Sequence, residues 1–227
     1  MVNLTLTKHS PLSGIYRAYS ATLIDQQGWQ IAKVFGNLSA EEKSLQTGSG
    51  LADWSHIGKI SLSGQQAAHA AEMLCAGALS ISPLTSVSTT DVAALRLTAN
   101  DYLILCQVGR ELSLLGQLDG DRTRNRITIV NQTGAMGCLA LAGQRRDEVL
   151  ERSTAMDLRR DRLIAGSVIQ TTIHTIRCTL YRTSQLDVIV HPRSLSESLF
   201  DALLDVGIGV GLVPTGLAIV PVEFQAG

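Results

Sequence analysis

The stretch KISLSGQQAAHAAEML, residues 59–74, is matched in form by CLALAGQRRDEVLERS, residues 138–153. Each begins with alternating apolar residues, a pattern typical of a half-buried β-strand. A small residue, a glycine and a glutamine follow, and Gly64 and Gly143 mark the turn into a segment with helical periodicity. Self-similarity of this kind indicates two copies of one supersecondary unit.

Each copy continues with a strand, a turn and a second strand. In AALRLTANDYLILCQ the turn is Asn100-Asp101, and in TIRCTLYRTSQLDVIVHP it is 183–185. A helical segment follows each hairpin, RELSLLGQL in the first copy and SLSESLFDALLDVG in the second. The order predicts an α+β fold of two β-α-β-β-α units, about residues 56–118 and 136–207, with helices packed on mostly antiparallel sheets.

The last helix and the end of the chain carry further predictions. Ser194 and Glu197 have the spacing of a capping box, and Gly207 is placed to end the helix. The apolar face of this helix is formed by Leu195, Leu199, Phe200, Leu203 and Leu204. We expect a C-terminal strand in GLAIVPVEF, after GIGVGLVPTG, which is either a phosphate cradle or, as we favour, a turn into that strand.

Composition excludes several classes of function. The chain has 227 residues, 45% of them hydrophobic, and a formal net charge of −1. A broad electrostatic surface for nucleic acid is therefore not expected, and the arginines at 122–126 and 159–162 are interpreted as solvated. Because no stretch of about 18 apolar residues occurs and the N-terminus is polar, we expect neither a transmembrane helix nor a signal peptide.

The cysteines and histidines do not indicate a metal site. Cys75, Cys106, Cys138 and Cys178 are far apart and lack a CxxC spacing, which is typical of reduced core residues in a cytoplasmic protein. The five histidines show no metal-ligand spacing, so we predict no metal.

Two residues remain as candidates for chemistry. Asp91 stands at the entry to the strand VAALRL, where its carboxylate either faces a cleft or caps a turn. Trp54, in GLADWSHIGKISLSG, is either a surface on which a ring stacks or part of the core.

Residues 23–64, LIDQQGWQIAKVFGNLSAEEKSLQTGSGLADWSHIGKISLSG, resemble the start of the glycine cleavage system T-protein family, the tetrahydrofolate-dependent aminomethyltransferases. The matching elements are Asp25, Gly28-Trp29, Gly36, Gly50-Leu51, Asp53 and Ser55-His56. The resemblance continues through TTDVAALRLTANDYLIL and CLALAGQRRDEVL to GLVPTGLAIVPVEFQAG. It covers nearly the whole chain but only about the first two-thirds of a T-protein, without the C-terminal barrel.

The resemblance implies two interlocked subdomains around a folate site. The first would be built from residues 1–55 and 128–227, and the second from the inserted residues 56–127. Asp91 matches the essential aspartate of the family, so it is the implied catalytic residue in a cleft that binds tetrahydrofolate. Trp54, Tyr102 and Gln225 are weaker candidates for contacts, and His56 is expected to brace the cleft.

The chain departs from the family at several positions. The family's asparagine after the first hairpin falls at Cys106, and the glutamate of Gly-Tyr-Thr-Gly-Glu is missing near residues 180–185. Residues 219–221 replace Ala-Arg-Asp, and Gln225 replaces a glutamate. A second family of folate-binding proteins, which supports iron–sulfur enzyme maturation, shows a Lys-Gly-Cys-Tyr motif that is absent here.

The second half of the chain also resembles the gamma subunit of heterotetrameric sarcosine oxidase. The likeness lies in Asp157-Leu158, Gly166 and Arg193-Ser194. It implies an alternative function, a non-catalytic subunit that docks onto a larger folate- and flavin-binding enzyme. The sequence leaves open whether the protein is an enzyme of one-carbon metabolism or such a subunit.

Overall fold

The structure is a computed structural model that describes residues 7–118, 127–158 and 163–224. Its strands are β1 (Lys8–His9), β2 (Thr22–Gln26), β3 (Trp29–Val34), β4 (Ser49–Asp53), β5 (Gly58–Ser63), β6 (Thr85–Ser88), β7 (Val92–Arg96), β8 (Asp101–Cys106), β9 (Thr128–Asn131), β10 (Met136–Ala142), β11 (Val168–Ile173), β12 (Ile176–Arg182), β13 (Leu186–Pro192) and β14 (Leu212–Pro214). Its α-helices are α1 (Ser13–Ala18), α2 (Leu38–Thr47), α3 (Ala67–Leu74), α4 (Glu111–Leu118), α5 (Arg146–Ser153) and α6 (Ser196–Gly207).

The strands form three sheets, two of them large. One large sheet has the order β11-β12-β13-β10-β4-β14, and the other has the order β6-β7-β8-β5-β9. Each packs helices on one face, α5 and α6 on the first and α3 and α4 on the second. Their other faces meet in a shared apolar core. The small sheet, β1-β3-β2, carries the N-terminal part of the chain.

The α+β fold with a repeated unit is confirmed, and each copy has one strand more than the sequence predicted. The first copy runs β5-α3-β6-β7-β8-α4, and the second runs β10-α5-β11-β12-β13-α6. The additional strands are β6 and β11. The sequence of β6 is TSVS, in which small polar residues hide the apolar alternation that marks a strand.

The glycine turns predicted after the first strand of each copy are also confirmed. Gly64 has φ of 131° and Gly143 has φ of 109°, in the region that favours glycine. At Gly143 a Cβ atom would also lie 2.7 Å from the carbonyl oxygen of Gly48, so the close approach requires glycine.

The predicted start of the last helix was wrong, whereas its predicted end at Gly207 is confirmed. A short 3-10 turn, Arg193–Leu195, precedes α6, and the hydroxyl of Ser196 donates to the carbonyl oxygen of Arg193. No capping box forms at Ser194, because Ser194 lies within that turn. The chain continues from Gly207 through the 3-10 turn Ile208–Val210, and Gly211, with φ of 75°, ends it. In the predicted apolar face, Leu195 is partly exposed and the other four members are buried.

The predicted C-terminal strand was also misplaced. The strand is β14, upstream of GLAIVPVEF, and it pairs in parallel with β4. Residues 216–220 form a turn, in which the amides of Ile219 and Val220 both donate to the carbonyl oxygen of Gly216. Pro221 has no amide hydrogen to continue a ladder, and residues 221–224 run without strand pairing.

Strand pairing bears on the subdomain boundaries that the resemblance implies. The strand β9 pairs with β5 in the five-stranded sheet, although it lies just beyond the implied end of the inserted subdomain at residue 127. The arginine-rich segments at 122–126 and 159–162 lie outside the described residues. None of the helices in the described ranges has the length and apolar character needed to cross a bilayer.

Candidate functional site

The C-terminal residues 217–224, which we call the terminal segment, pass between the two large sheets. We call the region around this segment the seam. Side chains from three separate parts of the chain donate hydrogen bonds to alternate carbonyl groups of the segment. The pairs are Trp54 Nε1 to Val220 O at 3.1 Å, Gln107 Nε2 to Val222 O at 2.9 Å, and Tyr181 OH to Phe224 O at 2.9 Å. The amides of Leu217 and Ala218 donate to the backbone carbonyl oxygens of Ala32 and Lys33 in β3, and side chains fix the rest of the segment.

The space between the sheets is filled beside this segment. The rings of Trp54 and Phe224 meet edge to face, with 6.3 Å between centroids, and both residues are 0% exposed. The surrounding side chains are small or aliphatic and come from both sheets, among them Ala93, Leu103 and Val188. Open space at the seam therefore lies on the two sides of the terminal segment.

Two cavities occupy those sides. The larger, of about 430 Å³, lies against the loop that carries Thr183, Ser184 and Gln185, and Glu223 also lines it. The smaller, of about 240 Å³, is lined by side chains of the small sheet, by residues after β4 and β8, and by the terminal segment. Pro221 forms part of the wall of both cavities.

The smaller cavity contains an unusual imidazole. His56 is 2% exposed, and its Nδ1 atom has no hydrogen-bond partner. Burial lowers the pKa of His56 to about 4; the charge of Asp53 acts to raise the pKa and that of Lys59 to lower it. His56 is therefore neutral at pH 7. We call this space the His56 cavity.

The first residue of the Asp-Trp-Ser-His sequence, Asp53, has a structural role beside the His56 cavity. The buried carboxylate of Asp53 accepts hydrogen bonds from the hydroxyl of Ser10, from Tyr16 OH at 2.5 Å and from the amide of Ser55 at 2.7 Å. Burial, followed by the charge of Asp53, raises the pKa of Tyr16 well above its usual value. Asp53 thus ties the N-terminal segment to the end of β4.

Lys59 is a buried cation that the sequence did not single out. It is 0% exposed, and its Nζ donates to the carbonyl oxygens of Ser55 at 3.0 Å and Ile57 at 2.7 Å. Burial lowers its pKa to about 8. The only signal in the sequence is a lysine at the start of a strand that is otherwise apolar or small, which does not separate a buried from an exposed amine.

Asp91 lies immediately before β7, as predicted, and its side chain is exposed. Its carboxylate is 3.9 Å from the guanidinium of Arg110, and about half of its side-chain surface is accessible. The backbone carbonyl of Asp91 accepts from the amide of Gln107 at 3.0 Å. Thr89 makes the turn's hydrogen bonds with Val92, so the described contacts do not give Asp91 the role of the turn cap. Gln107 links the strand entry at Asp91 to the His56 cavity.

Tyr102 lies at the other end of the β7–β8 hairpin. Its hydroxyl donates to the carbonyl oxygen of Ala78 at 3.2 Å, and Arg96 lies 5.6 Å from the centre of its ring. It is 1% exposed. Tyr102 lies opposite Arg96, the last residue of β7, whereas Asp91 precedes the first residue of β7. Tyr102 and Asp91 are therefore about 15 Å apart along this strand. The structure does not bring these two candidates together.

Of the remaining candidates, Trp54 is in the seam and Gln225 lies outside the described residues. Among the residues that the structure describes, no group of three histidine, cysteine or acidic side chains is placed to hold a metal. The four cysteines are free and buried, and burial raises the pKa of Cys106, Cys138 and Cys178 to about 12.

Comparison with known sequences shows the family. The model of the family described as GCVT N-terminal domain matches residues 12–222. An aminomethyltransferase of Acidobacterium capsulatum is 26% identical, over 92% of this chain and 60% of its own. That of Bacillus subtilis is also 26% identical, over 93% of this chain and 62% of its own. The chain therefore spans about 60% of the length of these relatives.

Solved structures show the same fold. The glycine cleavage system aminomethyltransferase T from Bartonella henselae has a TM-score of 0.78 and 18% identity, covering 93% of this chain and 60% of that one. A chain of the heterotetrameric sarcosine oxidase from Corynebacterium sp. U-96 has a TM-score of 0.64 and 19% identity, covering 77% of this chain and 93% of that one. The chain described here belongs to the GCVT N-terminal domain family.

Proposed function

We propose that the protein binds a ligand of the tetrahydrofolate class at the seam and functions in one-carbon metabolism as an aminomethyltransferase-like protein. The observation that carries the proposal is the pair of cavities on either side of the terminal segment, which share Pro221 as a wall. The larger cavity, of about 430 Å³, lies within the range of about 300–1,000 Å³ that is usual for small-molecule sites. Membership of the GCVT family supports the class of ligand.

The larger cavity has the chemistry to hold the heteroaromatic end of such a ligand. Gln185 offers an amide, Ser184 offers a hydroxyl group, and Glu223 offers a carboxylate, whereas the hydroxyl of Thr183 already donates to the carbonyl oxygen of Leu186. These groups can donate to ring carbonyls and accept from ring amide and amino hydrogens. Tetrahydrofolate, when bound, carries a one-carbon unit on its nitrogen atoms. Because side chains fill the space between the sheets, the rest of the ligand lies outside the larger cavity or displaces the terminal segment.

Asp91 is the proposed catalytic residue, and because its side chain lines neither cavity, it would meet a part of the ligand that lies outside them. Its carboxylate can accept a hydrogen bond or hold a proton at a ligand nitrogen, and the guanidinium of Arg110 lies 3.9 Å away. Because the carboxylate is exposed to water in the described structure, a catalytic role requires that ligand or partner cover it, which would strengthen its interactions. Gln225 and Tyr102 remain weaker contact candidates, and Trp54 acts through the segment that it holds.

Calorimetric titration with tetrahydrofolate tests this proposal. We expect saturable heat with the natural chain and weaker binding with Asp91→Asn. The matched control is Asp205→Asn, an exposed carboxylate on α6, which should bind as the natural chain does. Absence of heat at high ligand concentration would overturn the proposal, and equal binding by both variants would remove Asp91 from the site.

A second candidate function, a subunit that docks onto a larger enzyme, is favoured by the likeness of fold to a chain of a heterotetrameric enzyme, sarcosine oxidase. Isolation from the native host under mild conditions would test it. Recovery with a larger folate- or flavin-binding protein supports the subunit role, and recovery only as a free monomer contradicts it.

The proposed location is the cytoplasm. Free, buried cysteines are usual in proteins of reducing compartments, and the four here support that assignment. Fluorescence of a tagged full chain in its native host, with a cytoplasmic marker, would test it.

A further inference from the structure

We propose that the His56 cavity is a binding site for a small carboxylate anion, separate from the proposed folate site in the larger cavity. The first observation is the Nδ1 atom of His56, which is buried and lacks a hydrogen-bond partner. Buried polar atoms are almost always satisfied, and an exception at the wall of a cavity indicates a missing partner. The Nδ1 atom is enclosed by protein as the ring stands, so an atom of a bound ligand would supply that partner once the imidazole turns about its Cβ–Cγ bond.

The other polar groups of the cavity are suited to an anion. Gln26 and Gln107 bring amide groups, and Lys33 brings an ammonium group. No aspartate or glutamate is among the lining residues. Lys33 is exposed on β3, and no ion pair with a carboxylate is found for it in the described parts of the chain. A carboxylate would accept hydrogen bonds from these donors and compensate the charge of Lys33.

The volume and the apolar walls limit the size of the anion. The cavity measures about 240 Å³, below the range usual for drug-sized ligands. Ile24, Val108, Leu217 and Pro221 form apolar parts of its wall. These dimensions fit a carboxylate with a short aliphatic substituent.

The state of His56 determines how the anion binds. Because burial lowers the pKa of His56 to about 4, the ring is neutral at pH 7 and carries one N–H group. A carboxylate favours the tautomer with hydrogen on Nδ1, since that N–H can donate to it. The nearby charges of Asp53 and Lys59 have opposite effects on the ring and leave it neutral.

Titration of the isotope-labelled full chain with acetate, followed through the imidazole ¹⁵N signals, tests the site. We expect a saturable shift of the His56 Nδ1 signal toward the protonated nitrogen, and no such shift for exposed His69. Acetamide, which has nearly the same shape without the charge, should bind more weakly than acetate by a factor of about ten or greater. This experiment needs no folate, so its outcome is independent of the proposed function.

Exposed residues supply the matched variants, because substitution of buried His56 can affect folding. Lys33→Glu should weaken acetate binding about tenfold, and Lys43→Glu, on the exposed face of α2, should leave it unchanged. An absence of saturation at His56 would overturn the proposal. Equal binding of acetate and acetamide, or equal binding by the natural chain and Lys33→Glu, would overturn the assignment of an anion.

Discussion

The two copies of the repeated unit differ in how their buried charged and polar side chains are paired. In the second copy, Arg182 contacts both oxygens of Asp187, at 2.7 Å and 2.9 Å, and also contacts Asp147 at 2.6 Å. In the first copy, Lys59 donates only to backbone carbonyl groups, and the Nδ1 atom of neighbouring His56 has no partner. Both sets of groups are buried, but only the second is paired charge to charge.

The difference distinguishes a paired, structural network from the region where we propose that a ligand binds. A network whose members are all paired fixes the packing of α5 against β12 and β13, and has little capacity left for a ligand. A buried polar group without a partner costs stability, and proteins retain such groups mainly at sites where another molecule completes them. The unpartnered Nδ1 atom of His56 therefore supports the proposal that a ligand binds beside it.

The largest effect is expected from breaking the paired network. Asp187→Asn leaves Arg182 and Arg146 without their shared buried carboxylate, so the free energy of unfolding should fall by about 3–5 kcal/mol. Urea denaturation measures this loss. Glu148→Gln removes the exposed pair with Arg145 and is the control, which should match the natural chain. Equal, small losses in both variants would contradict the structural role of the network.

Acid titrates the buried imidazoles of His56 and His191 and should produce the next largest effect. Burial lowers the pKa of both His56 and His191 to about 4, below the value near 6.5 of the unfolded chain. The unfolded chain therefore binds these protons first, and stability falls as the pH decreases from about 6.5 toward 4. Between pH 6.5 and 5 each ring should cost up to about 2 kcal/mol.

Urea denaturation at pH 7 and pH 5 measures this dependence, and His191→Gln should remove about half of it. The exposed His69→Gln variant is the control and should keep the natural profile. If the natural chain is equally stable at pH 7 and pH 5, the imidazole rings of His56 and His191 are charged or exposed in the folded state.

Replacement of the unpaired cation should have a smaller effect than loss of a paired one. Lys59→Met removes a buried charge but leaves two carbonyl groups without a donor, so the net change at pH 7 should be within about 1 kcal/mol. In the natural chain the pKa of Lys59 is about 8, below its unfolded value, so stability should rise from pH 8 to 10.5. The variant should lack that rise. A loss as large as that of Asp187→Asn would show that Lys59 is paired after all.

The smallest effect on stability is expected at Asp91. Its side chain is about half exposed and its cation partner is 3.9 Å away, so Asp91→Asn should change the free energy of unfolding by less than about 0.5 kcal/mol. Thermal unfolding of the natural chain and the variant measures this. A large loss would indicate that the weaker ligand binding expected of this variant reflects folding rather than contact.

Sequence patterns predicted the parts of the molecule that depend on neighbouring residues. Alternation located β5 and β10, glycines located the turns after them, and Asp91 was placed correctly before β7. The terminal segment could not be predicted, because its position depends on contacts such as that of Trp54 with Val220, 166 residues apart. The unpartnered Nδ1 atom of His56 could not be predicted for the same reason. Whether a buried nitrogen is satisfied depends on every element around it, and a pattern in one element does not contain that information.

The central claim is that the seam is where a ligand of the tetrahydrofolate class binds, and the two tryptophans of the chain allow a direct test. The indole N–H of Trp54 donates to the terminal segment, whereas Trp29 lies in the small sheet beside Lys8 and Arg193. Titration with tetrahydrofolate, followed through the two indole ¹⁵N–¹H signals, should shift the Trp54 signal and leave that of Trp29 in place. Saturation without movement of the Trp54 signal, or with movement of the Trp29 signal alone, would contradict the claim.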